Sequence, residues 1–336
     1  MNAPGFPHAT LILVLLAAAS ICACLIVLLR PILQRYALAR PNARSSHVVP
    51  TPQGAGIAVI VTTLSVVGVC ALAVGLAIPA ILFGATLFIA LVGLTDDIKP
   101  IPVLPRLLLQ AAAVCVILLI APATSRIVPG WPLWAERGVL LIAGLWFVNL
   151  VNFMDGLDLM TVAELVPITG AMILMGWLGN YPALPALVAA ALCGAMLGFA
   201  PFNRPIAKVF LGDVGSLPIG LLLGWCLLQI AWQHQLTAAL LLPLYYLADA
   251  TLTLLRRIAK GEPFWAAHRT HFYQRATNNG FTVPRVVGEV FLLNIALAAL
   301  AISSTSLNSL AARIFVLLLG MSLVAIVLLR FSRKAP

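Results

Sequence analysis

The sequence predicts an all-α polytopic membrane protein of about eleven transmembrane helices, with its N-terminus outside and its C-terminus in the cytoplasm. Three observations predict this. Hydrophobic residues fill 62% of the 336 positions and charged residues 9%, against soluble-domain averages of roughly half and a quarter. Mean hydropathy is +1.08, and apolar runs of about 20 residues, the length that crosses a bilayer, recur along the chain. Lys and Arg crowd onto alternate connections, the positive-inside pattern.

The apolar runs lie near 9–29, 56–75, 77–94, 106–121, 138–153, 162–178, 184–200, 216–232, 236–255, 286–303 and 312–330. Pro and Gly recur inside them, which membrane helices tolerate where neighbouring helices re-satisfy the backbone. No Lys or Arg precedes the first run, so a cleaved signal peptide is not expected. Neither an internal repeat nor a soluble module interrupts the pattern, and residues 1–336 read as one membrane domain.

With the N-terminus outside, the connections at 30–55, 95–106, 153–161, 201–215, 256–285 and 330–336 face the cytoplasm. They hold 17 of the 20 Lys and Arg; Arg126, Arg137 and Arg313 are the remainder. The formal charge of +10 therefore speaks for anionic lipid headgroups or phosphorylated substrates, and not for nucleic acid. Six cysteines (Cys22, Cys24, Cys70, Cys115, Cys193, Cys226) sit inside apolar runs without metal-ligand spacing and read as small core residues.

The aspartates sharpen the picture. Asp96, Asp97, Asp155, Asp158, Asp213 and Asp249 all fall at or near the cytoplasmic ends of spans, as do Asn149, Asn152, His268 and His271. Ionisable groups at membrane depth are costly and mark sites. Their shared face predicts one site assembled from loops near 30–55, 95–106, 149–161, 201–216 and 256–285.

Each patch has its own chemistry. Thr95-Asp96-Asp97 ends the third span, and adjacent carboxylates there suit Mg²⁺, which takes oxygen ligands and substrate phosphates. Asn149-Leu-Val-Asn152-Phe-Met-Asp155-Gly156-Leu-Asp158 closes the fifth. On a helix, Asn149, Asn152 and Asp155 follow one another by single turns, and Gly156 lets the helix end. Gly212-Asp213-Val-Gly215-Ser216 precedes the eighth span, exposing an acid and backbone amides at a helix start, with Ser216 as a capping candidate. The long connection carries His268-Arg269-Thr-His271 among aromatics, a set that binds a diphosphate and a ring. The first connection reads Pro41-Asn42-Ala-Arg44-Ser-Ser-His47 and then Pro50-Thr-Pro-Gln-Gly54-Ala-Gly56, which fixes a backbone path close to other groups.

In this order, these patches resemble the polyprenyl-phosphate N-acetylhexosamine-1-phosphate transferase family, whose members start O-antigen, common-antigen and teichoic acid synthesis. The likeness runs from about Pro41 to Arg275 and includes Asp249 in the ninth span. It implies Mg²⁺-dependent transfer (Mn²⁺ substituting) of a sugar 1-phosphate from a UDP-N-acetylhexosamine to undecaprenyl phosphate, releasing UMP, in a bacterial inner membrane. It also implies that Asn152 and Asp213 contact the metal, and that Asp96 or Asp97 helps hold it or deprotonates the lipid phosphate. Asp155 and Asp158 would line the nucleotide pocket, with Asn149, Arg106 and His47 also toward substrate. His268, Arg269 and His271 would grip the diphosphate or acetamido sugar.

The chain departs from the pattern in three places. Ile98-Lys99-Pro100 follows Asp97 where relatives often have another acid, and Arg106 stands where many have Lys. The histidine loop is sparse, closer to the O-antigen branch with UDP-GlcNAc or a 6-deoxy analogue. A homodimer is compatible with all of this. The competing expectation, a transporter with carboxylate-coupled ion sites, predicts polar groups at mid-span, where these runs are almost bare.

Overall fold

Bilayer hydrocarbon offers no water to exposed backbone groups, so runs of this length must close their own hydrogen bonds as helices. The computed structural model describes residues 8–39, 50–263 and 268–335; His47, with the rest of the Pro41–His47 motif, lies outside them. The chain runs α1 (His8–Tyr36), β1 (Leu38–Ala39), β2 (Thr51–Pro52), α2 (Gly56–Ala73), α3 (Ala80–Ile98), α4 (Val103–Ile120) and α5 (Leu133–Met154). It continues with α6 (Met160–Trp177), α7 (Ala183–Phe199), α8 (Asp213–Trp232), α9 (Leu236–Leu241), α10 (Leu244–Ala259), α11 (Phe272–Asn278), α12 (Val283–Thr305) and α13 (Leu310–Phe331).

Ten of these helices, α1 to α8 with α12 and α13, are long and apolar enough to cross a membrane. The chain is an all-α polytopic membrane protein. The expected ninth span, 236–255, is not one helix: it breaks between α9 and α10 at Leu242-Pro243, since proline cannot continue the hydrogen-bond ladder. α10 is two-faced. Tyr245, Asp249, Thr253 and Arg257, spaced by four, are buried, while Leu252, Leu255 and Ile258 are exposed.

α6, α7 and α8 form the centre, with 72%, 78% and 78% of their spans buried, against 28% for α1 and 22% for α13. Small residues bring α7 and α1 close. A methyl group added at Gly194 or Gly198 would lie 2.1 Å from the Leu15 carbonyl oxygen or 2.3 Å from that of Ala19. β1 and β2 pair antiparallel, Leu38 opposite Pro52. The chain after β2 then binds the approach to α8: Phe210 N–H donates to the Pro52 carbonyl, and Gly54 and Ala55 N–H donate to that of Phe210.

Candidate active site

The end of α3 is built onto the start of α8. A methyl group on Gly93 would lie 2.2 Å from the Asp213 carbonyl oxygen, so only glycine lets the two backbones meet. One turn later, Asp97 accepts the Asp213 N–H at 2.9 Å and the Val214 N–H at 3.0 Å, and the Gln53 amide as well. A helix start has unpaired N–H groups and partial positive charge, and a carboxylate satisfies both. Gly212, at φ 76° and packed beside the Asp97 carboxylate, completes the turn. Ser216 does not cap α8, because the helix already begins at Asp213; its hydroxyl instead accepts from Asn152 at 2.8 Å. Asp96 accepts the Ile101 N–H at 2.6 Å and pairs with Arg106 at 2.7 Å, and its carboxyl also lies beside that of Asp213.

The last turns of α5 bring Asn149 and Asn152 to this junction. Asn152 donates to Asp213 at 2.7 Å. Asn149 is buried and donates to Gln110 at 2.6 Å and to the Leu145 carbonyl at 2.8 Å. α5 ends at Met154, as the motif predicts. Gly156, however, serves packing more than the turn, and Leu159 takes the left-handed conformation (φ 64°). A methyl group on Gly156 would lie 2.2 Å from the Tyr273 hydroxyl, which donates to the Phe153 carbonyl at 2.9 Å. This contact seats the histidine loop on the α5 end. Asp155 accepts from the Thr161 hydroxyl, and Asp158 accepts the Ala207 N–H at 3.0 Å.

Within the loop, His271 is buried, its Nδ1 3.2 Å from Asp249, and its ring lies between His268 (centroids 4.9 Å apart) and Tyr273 (5.7 Å). His268 Nδ1 lies 3.0 Å from the Thr270 hydroxyl.

A cavity of about 1120 Å³ joins these pieces. Asp97, Arg106, Asn149, Asn152, Asp155, Asp158, Asp213, His268 and His271 all line it; Asp96 and Arg269 do not. Its walls continue into apolar side chains including Leu33, Ile57, Leu107, Ile142, Leu145 and Trp146. Burial pushes the Asp155 carboxyl up to about 6, against the lowering effect of the Thr161 hydroxyl, and the charges of Asp158 and Asp97 add to the rise.

Asp213 offers the cavity a carboxylate, a hard-oxygen ligand that suits Mg²⁺ bound jointly with substrate phosphates, and Asn152 holds that carboxylate through its amide nitrogen at 2.7 Å. Two further side chains hold unmet hydrogen-bonding capacity at the cavity: Arg106 Nε and Gln274 Oε1 are buried without a partner. Sequence reasoning missed Gln53, Thr161, Tyr273 and Gln274, whose roles come from distant contacts. Asp249 was visible as the one charge in its apolar run, although its partners were not.

Residues 79–231, which carry Asp96, Asp97, Arg106, the Asn149–Asp158 stretch and Asp213, match the family model described as "Glycosyl transferase family 4". The chain is also 31% identical over 300 residues to the decaprenyl-phosphate N-acetylglucosaminephosphotransferase of Mycobacterium tuberculosis (strain ATCC 25618 / H37Rv), covering 76% of this chain and 72% of the relative. The chain belongs to glycosyl transferase family 4. Two other relatives widen the comparison. The probable undecaprenyl-phosphate N-acetylglucosaminyl 1-phosphate transferase of Bacillus subtilis is 24% identical over 320 residues, 89% of this chain and 88% of its own. The phospho-N-acetylmuramoyl-pentapeptide-transferase of Desulfotalea psychrophila is 27% identical over 263 residues, 66% and 71%. The family 4 match stops short of the histidine loop, so His268 and His271 join the site by geometry and not through that model.

Proposed function

We propose that this chain transfers N-acetylhexosamine 1-phosphate from a UDP-sugar to undecaprenyl phosphate at the cytoplasmic face of a bacterial inner membrane. The donor is UDP-GlcNAc or a 6-deoxy-N-acetylhexosamine analogue, and the product starts O-antigen or another cell-surface polysaccharide. One observation carries the reading: a single cavity is lined by carboxylates, amides, Arg106 and two histidines together with many apolar side chains. That combination suits a charged soluble donor and a lipid phosphate meeting at one place. The relatives' names, which specify polyprenyl-phosphate acceptors or a phospho-sugar donor group, support it.

In the reaction, an oxygen of the lipid phosphate attacks the sugar-bearing phosphorus, and the bridging oxygen leaves with UMP. Both partners are anions, so fixed cations and positioning supply the acceleration. Asp213 and Asn152 would hold Mg²⁺, or Mn²⁺ in its place, which when bound offsets diphosphate charge and stabilises the departing UMP. Asp97, already accepting three donors, holds Asp213 in register. Arg106 exchanges Asp96 for an incoming phosphate, while His268 and His271 grip the diphosphate; Arg269, off the cavity wall, lends its charge from behind the loop. Asp155 and Asp158 line the nucleotide side, with Asn149 behind them.

The test is purified protein with undecaprenyl phosphate, Mg²⁺ and a panel of UDP-N-acetylhexosamines, scoring UMP release with and without chelator. Mg²⁺-dependent release with at least one donor is expected. Failure with every donor would remove the transferase reading, and an undiminished rate in Asp213→Asn would remove the metal assignment.

A further inference from the structure

The reading above leaves the buried acid Asp249 without a task. Asp249, on α10, is fully buried and accepts five hydrogen bonds. Its Oδ2 takes the Tyr273 N–H at 3.1 Å and the Tyr245 hydroxyl at 3.2 Å. Its Oδ1 takes the Phe272 N–H at 2.9 Å, the Thr253 hydroxyl at 3.3 Å, and His271 Nδ1 at 3.2 Å. Four of these partners lock the carboxylate; the fifth is a cavity-lining histidine.

We infer that Asp249 is a positioning residue acting through His271, an inference that rests on the phosphosugar-transferase reading for its catalytic meaning. An ionised carboxylate only accepts hydrogen bonds, so Nδ1 must carry the hydrogen. The ring is held against rotation by His268 and Tyr273, 4.9 and 5.7 Å away. Nε2 is then the nitrogen left to the cavity. A histidine aimed in this way meets the diphosphate with a single defined atom. Because Asp249 also holds the first two N–H groups of α11, it sets the ring's distance from the α5 end as well as its tautomer.

Two measurements test this. The first is a double-mutant cycle in kcat/KM for UMP release with Asp249→Asn, His271→Gln and the pair. Each single change is expected to lower kcat/KM by roughly 10- to 100-fold, and the pair to be no worse than the more damaging single within about threefold. Parent-like activity in Asp249→Asn, or losses that multiply in the pair, would overturn the inference and leave Asp249 a structural group. The second measurement needs no substrate and no change at Asp249; among the five histidines, the His271 signal is the one lost in His271→Gln. Nitrogen NMR of histidine-labelled full-length protein should report His271 protonated at Nδ1, and an Nε2–H neutral tautomer would overturn the proposal even if Asp249→Asn failed to fold. If the parent protein released no UMP from any donor, the transferase reading would fail, while the NMR signature would still decide the Asp249–His271 coupling.

Discussion

Asp97 holds Asp213 by its backbone: the carboxylate at the end of α3 accepts the Asp213 N–H at 2.9 Å and its neighbour's at 3.0 Å. The side chain of Asp213 is thereby delivered to Asn152 and the cavity. Asp97→Ala strands the first N–H groups of α8 and should lose about 1–3 kcal/mol of stability together with turnover. Thermal unfolding in detergent beside UMP release measures both. A variant as stable as the parent would show that Asp97 is not the fastening of α8.

Gly156 and Tyr273 make a second junction that can be broken and mended. In Gly156→Ala the new methyl group meets the Tyr273 hydroxyl at 2.2 Å, well inside contact distance. The histidine loop must lift, and activity should fall about 100-fold while overpacking costs roughly 1–3 kcal/mol. Adding Tyr273→Phe removes the clashing oxygen, at the cost of its bond to the Phe153 carbonyl, and should restore part of the loss. No recovery in the double variant would place the damage elsewhere.

These junctions also explain what was legible in the sequence. Apolar runs locate ten helices because lipid leaves the backbone no alternative, and the polar patches converge because each was costly where it stood. The break at Leu242-Pro243 was hidden inside an unbroken apolar run. Hidden too was the shared task of two carboxylates: Asp97 serves the start of α8 and Asp249 that of α11. Which helix start a carboxylate serves depends on tertiary contact, and spacing along the chain carries no trace of it. The role expected of Ser216 failed for the same reason, since the cap came from another helix.

Asp155 makes a pH-dependent prediction. Its folded-state pKa is raised from 3.8 to about 6, so the folded protein keeps a proton that the unfolded chain has already released. Stability contributed by this group is greatest below about pH 4, declines as pH rises toward 6, and stays lost above that. Asp155→Asn keeps an acceptor for the Thr161 hydroxyl without the buried charge. At pH 7.5 it should unfold at a higher temperature than the parent, by up to roughly 2–3 kcal/mol, and the gain should vanish near pH 4. A gain independent of pH, or a loss at pH 7.5, would contradict the burial argument. UMP release by the same variant should fall, because an amide cannot replace a carboxylate toward the nucleotide.

Two glycines on α3 give a controlled comparison. At Gly84 an added methyl group meets nothing within 4 Å, whereas at Gly93 it lies 2.2 Å from the Asp213 carbonyl oxygen and 2.7 Å from the Val214 nitrogen. The atoms at Gly93 belong to the backbone of α8, which cannot yield as a flexible side chain could. Gly84→Ala should therefore leave unfolding temperature and UMP release unchanged or slightly improved, as helix propensity favours alanine by about 1 kcal/mol. Gly93→Ala should push α3 from α8, separate Asp97 from the N–H groups it holds, and abolish activity, with a fall in unfolding temperature or in yield of folded protein. Equal behaviour of the two variants would mean that the α3–α8 contact does not set the position of Asp213.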